Sequence, residues 1–309
     1  MTLIRRIVAT SVAFLFFAFL ASSHSQKQEA GSKGIRTNIV VSRQSVLPYE
    51  SLSVMLLLRN EITEDRRVVA SWCAFLSIGE ITPGGSKWRR YRGDNEPLLK
   101  PCVPSAKNLV PKKIENIRAH IDYEAPSGEH VFAHPGEYLL KGGTTDSNGS
   151  FVSDEIKITV RMPEGIDARA YEFLRTSDIH HFFGEYTIHK YKYDQKTVED
   201  IEKFIADFDG SEYSYLARMG LAFMWLRGVE GKQDQARAIE LLTQVADQAG
   251  EPLSSAAEYH LGRIAYSGGT SMLEREKKII QANYHFQRVL TGTPTPYFKY
   301  LAQDAVRHR

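Results

Sequence analysis

The chain has 309 residues, of which 42% are hydrophobic and 25% charged. That is a globular composition, and it excludes a fully disordered chain, a collagen and a multi-span membrane protein. Thirty-nine Lys and Arg against 37 Asp and Glu give +2, too balanced for a polyanion binder. The two cysteines exclude a disulfide-dense scaffold and an all-cysteine zinc site.

Met1 to Arg6 is short and basic, Ile7 to Leu20 is apolar apart from Thr10 and Ser11, and Ala21 to Ser23 is small. These are the three parts of a secretory signal peptide. The apolar run is shorter than the ~20 residues that span a bilayer. The expectation is a signal peptide over 1–23 and a flexible linker over 24–34, with an uncleaved anchor as the alternative. The mature chain is then secreted or periplasmic and has no transmembrane span. An exported chain permits a disulfide between Cys73 and Cys102; two buried free thiols are the alternative.

From residue 35 to 162 the pattern is β. Thr37 to Ser42 is strand-like, and Leu52, Val54, Leu56 and Leu58 form a period-two stripe. Val68 to Ile78 is a longer apolar run closed by the Pro83 to Gly85 turn, and Ile117 to Tyr123, Tyr138 to Lys141 and Phe151 to Val160 alternate again. Short strands divided by Gly, Pro, Asn and Asp predict a sandwich. His134 to Gly142, the Thr145 to Gly149 turn and Asp154 to Val160 together resemble the last two strands of a bacterial immunoglobulin-like domain. The resemblance implies that the Tyr138 hydroxyl pins the incoming loop to the sheet. It does not extend to the family's core disulfide, because the position two after Tyr138 is Leu140.

From 163 to 309 the period is helical. Ile166 to Thr176 and Thr197 to Phe208 read as helices, the second with Val198, Ile201, Phe204 and Ile205 on one face. Helix-loop-helix junctions recur at Phe204 to Ala217, Val245 to Ala257 and Val289 to Ala302. The pairs Met219-Gly220 and Leu261-Gly262 repeat at a spacing of about 42 residues, against ~34 in the usual tetratricopeptide unit. The segment resembles tetratricopeptide-type helical hairpins with lengthened turns, Gly220 and Gly262 allowing close helix approach and Tyr297 to Val306 capping the array. The expected fold class is therefore an all-β immunoglobulin-like sandwich followed by an all-α repeat array.

Asp178 to His189 brings His180, His181 and His189 together with two carboxylates, all candidate ligands for zinc or copper. Gly184 and the alternation after it argue against one unbroken helix, and no metalloprotease spacing is present. His130 and His134, four apart but followed by Pro135, read as turn residues. Lys87 to Arg92 interleaves cations and aromatics, so Trp88, Arg90 and Tyr91 are candidates for glycan contact. Nucleophile elbows, phosphate loops and dinucleotide fingerprints are absent from the sequence.

The sequence therefore reads as a non-catalytic, exported interaction protein with no cofactor and no nucleic-acid partner. A protein or peptide is expected in the concave groove of the repeats, which such arrays use for binding. In tetratricopeptide-like proteins the first helices line that groove, which implies contacts from Tyr213, Tyr215, Arg218, Tyr259, His260, Arg263 and Tyr266. Alternatives are a cell-envelope glycan-binding module using 87–92, or a metal-binding protein centred on the three histidines.

Overall fold

In a computed structural model, residues 34–61, 63, 66–69, 75–83, 85–91, 106–112, 114–124, 129–146, 149–183, 194–267 and 272–307 are described. The strands are β1 (Ile35–Val41), β2 (Ser45–Val46), β3 (Leu52–Asn60), β4 (Arg66–Val69), β5 (Phe75–Thr82), β6 (Gly85–Arg90) and β7 (Ala106–Leu109). They continue as β8 (Ile114–Ile121), β9 (Tyr123–Glu124), β10 (Glu129–His130), β11 (Gly136–Asp146), β12 (Gly149–Val152) and β13 (Ile156–Val160). One antiparallel sheet has the order β1-β3-β8, with Ile39 opposite Leu56 and Leu56 opposite Ile117. The larger sheet runs β2-β13-β11-β5-β6, with β12 paired to β11; β2 joins β13 in parallel and the other pairs are antiparallel.

Leu52, Val54, Leu56 and Leu58 face one core, as their alternation predicts. In that core they join Ile78, Leu140, Ile158 and Val160 of the larger sheet. The Tyr138 hydroxyl donates to the His134 carbonyl at 3.1 Å, so the loop pin expected there is present.

The helices are α1 (Gly165–Leu174), α2 (Gln195–Asp207), α3 (Glu212–Arg227), α4 (Gln235–Gln248), α5 (Leu253–Tyr266), α6 (Met272–Thr291) and α7 (Pro296–Arg307), with a 3-10 turn at Asp178–Phe182. Side chains that bond free backbone N–H groups start three of them. Asp194 accepts from the Thr197 N–H, Ser211 from Ser214 and Asp234 from Arg237, at 2.8 to 2.9 Å. Helix α3 is buried almost all round, from Tyr213 to Met224, because it lies at the centre of the helical layer. Among the described residues no helix is long and apolar enough to cross a membrane.

The sequence expectation of an all-β domain followed by an all-α repeat array is overturned here. Gly34–Arg309 is one compact unit of mixed α and β structure, and its helical core is not purely helical. Leu47 and Met55 from the strand half are fully buried members of that core, and Val40, Tyr49 and Leu57 pack against it. Strand β3 is therefore covered on both faces, with its even-numbered leucines on the sheet core and Met55 and Leu57 on the helices. The joint is also polar. Arg43 bonds Glu50 at 2.9 Å and Glu212 at 2.5 Å, Arg161 pairs with Glu212, and the Tyr171 hydroxyl donates to the Ala133 carbonyl at 3.2 Å.

Candidate functional site

Three short segments meet at this joint. The loop after β2 places Tyr49 at a φ of 64°, a conformation that a bulky residue holds only when its surroundings enforce it. Its N–H donates to the Phe132 carbonyl at 3.0 Å. The β9–β10 pair sets Tyr123 opposite His130. The 3-10 turn begins at Ser177, whose hydroxyl accepts from the Ile179 N–H, and it is anchored by buried Ile179 and Phe182. That anchoring carries His180 and His181 towards the strand half.

The rings form a column. Tyr49 lies 4.5 Å from His180, His180 lies 4.5 Å from His181, and His181 lies 4.5 Å from Tyr123, all at interplanar angles below 40°. His130 stands edge-on to Tyr123 at 5.0 Å and to Tyr49 at 5.8 Å. All five residues line a cleft of about 620 Å³ that also takes in Tyr138.

His130 and His180 are neutral near pH 7. Burial holds His130 down to about 3, with His180 and His181 adding to the effect. Burial and then His181 hold His180 down to about 4. The hydrogen bonds identify the tautomers. His130 Nδ1 accepts from the Phe132 N–H at 3.1 Å, so its proton is on Nε2. That Nε2–H is buried and has no hydrogen-bond partner, although the residue is only 6% exposed. His180 Nδ1 lies 2.5 Å from the Ser177 carbonyl and donates to it, and the Leu174 backbone also bonds the ring.

The lining is more acidic than basic. Glu80, Glu129, Glu137 and Asp178 face it together with Arg89, and Glu137 is paired with Lys157.

The seven residues expected to line a helical groove do not share one surface. Tyr213, Arg218 and Tyr259 are buried, and Arg218 is tied to Asp209 at 2.6 Å and to Ser214 Oγ at 3.0 Å. Tyr215 is half-buried beneath the Arg218 guanidinium, and half-buried His260 lies edge-on to Phe223 at 4.8 Å. Only Arg263 and Tyr266 are exposed. The chain's own sheet occupies the groove side. A cavity of only about 90 Å³ remains between Ser53, Arg118 and His120 of that sheet and Tyr259, His260 and Arg263 of α5.

The basic-aromatic arm does not form a stacking platform either. Trp88 is half-buried and lies flat on Gly79, where an added Cβ would come within 3.0 Å of the ring, and the Lys141 ammonium sits 3.8 Å from the ring centroid. Tyr91 is buried, and its hydroxyl bonds the Asp122 carboxylate at 3.0 Å and the Tyr123 carbonyl at 3.2 Å. Arg90 is exposed. The arm residue that reaches the cleft is Arg89.

His180 and His181 do come together, but the third imidazole beside them is His130. Among the described residues no group of three ligating side chains has the geometry for a metal ion. His189, Cys73 and Cys102 lie outside the described residues. Sequence reasoning read His130 as a turn residue and passed over Tyr49 and Tyr123. The one available signal was a histidine just before the apolar Val131-Phe132 pair, a setting that buries an imidazole.

No protein-family model matches the chain, and no curated protein matches it. Similar solved structures include an alkylpurine DNA glycosylase from Pseudomonas fluorescens, with 15% identity and TM-score 0.29 over 43% of this chain and 32% of that one. The sporulation control protein of Bacillus subtilis gives 10% identity and TM-score 0.28 over 47% of this chain and 56% of that one. A β-glucosidase from Listeria innocua gives 12% identity and TM-score 0.26 over 41% and 16%. The chain thus spans less than two thirds of each, and at these scores the likenesses carry no argument about fold or function.

Proposed function

We propose that this is an exported, non-catalytic binding protein whose ligand seat is the cleft between the Tyr49 loop, the β9–β10 pair and the 3-10 turn. The observation that carries the reading is the cleft itself, about 620 Å³ and lined by Tyr49, Tyr123, His130, His180 and His181 from three separate segments. The size of the cleft fits a small molecule, since ligand pockets run to ~300–1,000 Å³. A binding role suits the imidazoles better than a catalytic one. His130 and His180 each spend one ring nitrogen on a backbone group, and their neighbours are aromatic rings. The export part of the reading rests on residues 1–23. The groove is a weaker seat than the sequence suggested, because β1, β3 and β8 lie on that side of the helices.

The test is histidine side-chain NMR on the full chain, titrated with a mixed library of small polar fragments. Binding in the cleft moves the His130 and His180 signals and leaves His285, which is paired with Glu258 across α5 and α6, where it was. A library that moves only His260 or His285, or none of them, overturns the reading.

A partner-protein reading keeps one support. Tyr266 on α5 and Ile280 and Tyr284 on α6 are large and exposed, the kind of surface that interfaces cover. A partner captured by the native chain and lost with Tyr266→Ala and Tyr284→Ala would favour it.

A further inference from the structure

We propose that the cavity between β8 and α5 holds a small tetrahedral oxyanion, a phosphate or the phosphate group of an ester. This seat is separate from the cleft beside Tyr49 and stands or falls without it. Across β3 and β8, Met55 lies opposite Arg118 and Ser53 opposite His120. The face that sends Met55 into the helical core therefore also turns Ser53, Arg118 and His120 towards the helices. On α5, His260 and Arg263 are three apart and share a face. Both pairs line one cavity of about 90 Å³, the space of about three waters, which suits a single phosphate group.

Four basic side chains thus meet at the joint, and little balances them. Among the described residues Glu50 is the one carboxylate on the lining, and Arg43 at 2.9 Å and the Leu47 N–H at 3.0 Å already hold it. Arg118 has Asp304 beside it only at 3.8 Å, longer than the ~2.7–2.9 Å of a direct charge-assisted bond. Arg263 is exposed and makes no ion pair among the described residues. His120 Nδ1 is engaged with Ser53 Oγ at 3.0 Å, and the His260 ring packs edge-on to Phe223 at 4.8 Å. The two guanidinium groups are therefore the principal donors, with the imidazoles flanking them.

Like charges gathered in this way cost stability, and an anion between them removes the cost. The guanidinium groups come from opposite walls. A carboxylate offers its two oxygens in one plane, whereas a tetrahedral oxyanion presents oxygens to both walls at once. Phe223, Tyr297, Phe298 and Leu301 supply an apolar part of the lining, and such surroundings strengthen a charge-assisted bond.

The experiment titrates the full chain at neutral pH and constant ionic strength with inorganic phosphate, methyl phosphate and acetate, following the His120 and His260 ring signals. Phosphate is expected to move both saturably, and acetate to bind about tenfold weaker. Arg118→Gln and Arg263→Gln should each weaken phosphate by about tenfold. Lys203→Gln, the same charge change at an exposed position on α2, should leave the Kd within about twofold. Methyl phosphate binding as tightly as phosphate assigns the seat to an ester, and weaker binding assigns it to the free anion; both support the inference. Phosphate that leaves the two signals unmoved, or moves only His130 and His180, overturns it. So does acetate binding as tightly as phosphate, or Lys203→Gln weakening phosphate as much as Arg263→Gln does.

Discussion

Gly220 on α3 lies directly against the backbone of Phe182, so that a methyl added at Gly220 would overlap the Phe182 carbonyl oxygen. The small residue does not serve helix-helix approach there, as the repeat pattern suggested. It admits the 3-10 turn that carries His180 and His181. Gly262 does serve that purpose, since its added Cβ would lie 2.8 Å from the Phe286 ring on α6.

The two glycines should therefore respond differently to alanine. At Gly220 the obstacle is main chain, which cannot rotate away, so Gly220→Ala should cost about 3 kcal/mol and displace the histidine pair. At Gly262 the obstacle is a side chain that can tilt, so the cost should be nearer ~1 kcal/mol. Urea midpoints measure the costs, and the His180 NMR signal reports the displacement. Equal costs with an unmoved His180 signal would show that the turn does not depend on Gly220.

Acid should loosen the joint. His130 and His180 are held below their ordinary value of 6.5, to about 3 and about 4, so the unfolded chain binds protons that the folded chain refuses. Their contribution to stability is complete above about pH 6.5 and is lost as pH falls towards 4. After allowance for its partial exposure, His180 alone accounts for about 2 kcal/mol of that loss. Chemical denaturation at stepped pH measures it. His180→Phe should flatten the decline, and an unchanged slope would count against the assignment.

Glu50 works in the opposite sense. It is buried, and burial pushes its carboxyl up to about 7, with Arg43 at 2.9 Å opposing and Glu212 adding to the rise. A raised carboxyl contributes stability below its ordinary 4.5, and that contribution disappears as pH climbs through 7. Glu50→Gln keeps the shape without the charge. It should gain on the native chain by about 2 kcal/mol between pH 4.5 and 8, read from the difference in denaturation midpoints. A difference that does not vary with pH would mean that the carboxylate is ionised throughout.

Strands and helices should unfold together. Met55 leaves β3 for the helical core and is fully buried there, so Met55→Ala should cost about 3 kcal/mol. Trp88 reports the larger sheet and Trp225 reports α3. Variants that keep one or the other as the sole tryptophan should give coincident transitions. Separate midpoints would restore two independent domains.

Much of the local structure was legible in the residues. Helix α2 follows from Val198, Ile201 and Phe204, and the buried stripe of β3 from Leu52, Val54, Leu56 and Leu58. These signals are local, because periodicity acts within a few residues. The same stripe carried a second message in Met55 and Leu57, which break the alternation because the other face of the strand is covered too.

Periodicity states which face is buried but not what covers it, and that was decided only in three dimensions. Arg43 finds Glu212 across 169 residues, and His130 reaches His180 and His181 from a segment read as a turn. Neither neighbour leaves a mark on the other's local sequence. Their meeting depends on the packing of the sheet against the helices, and it is this packing that closes the expected groove and forms the cleft.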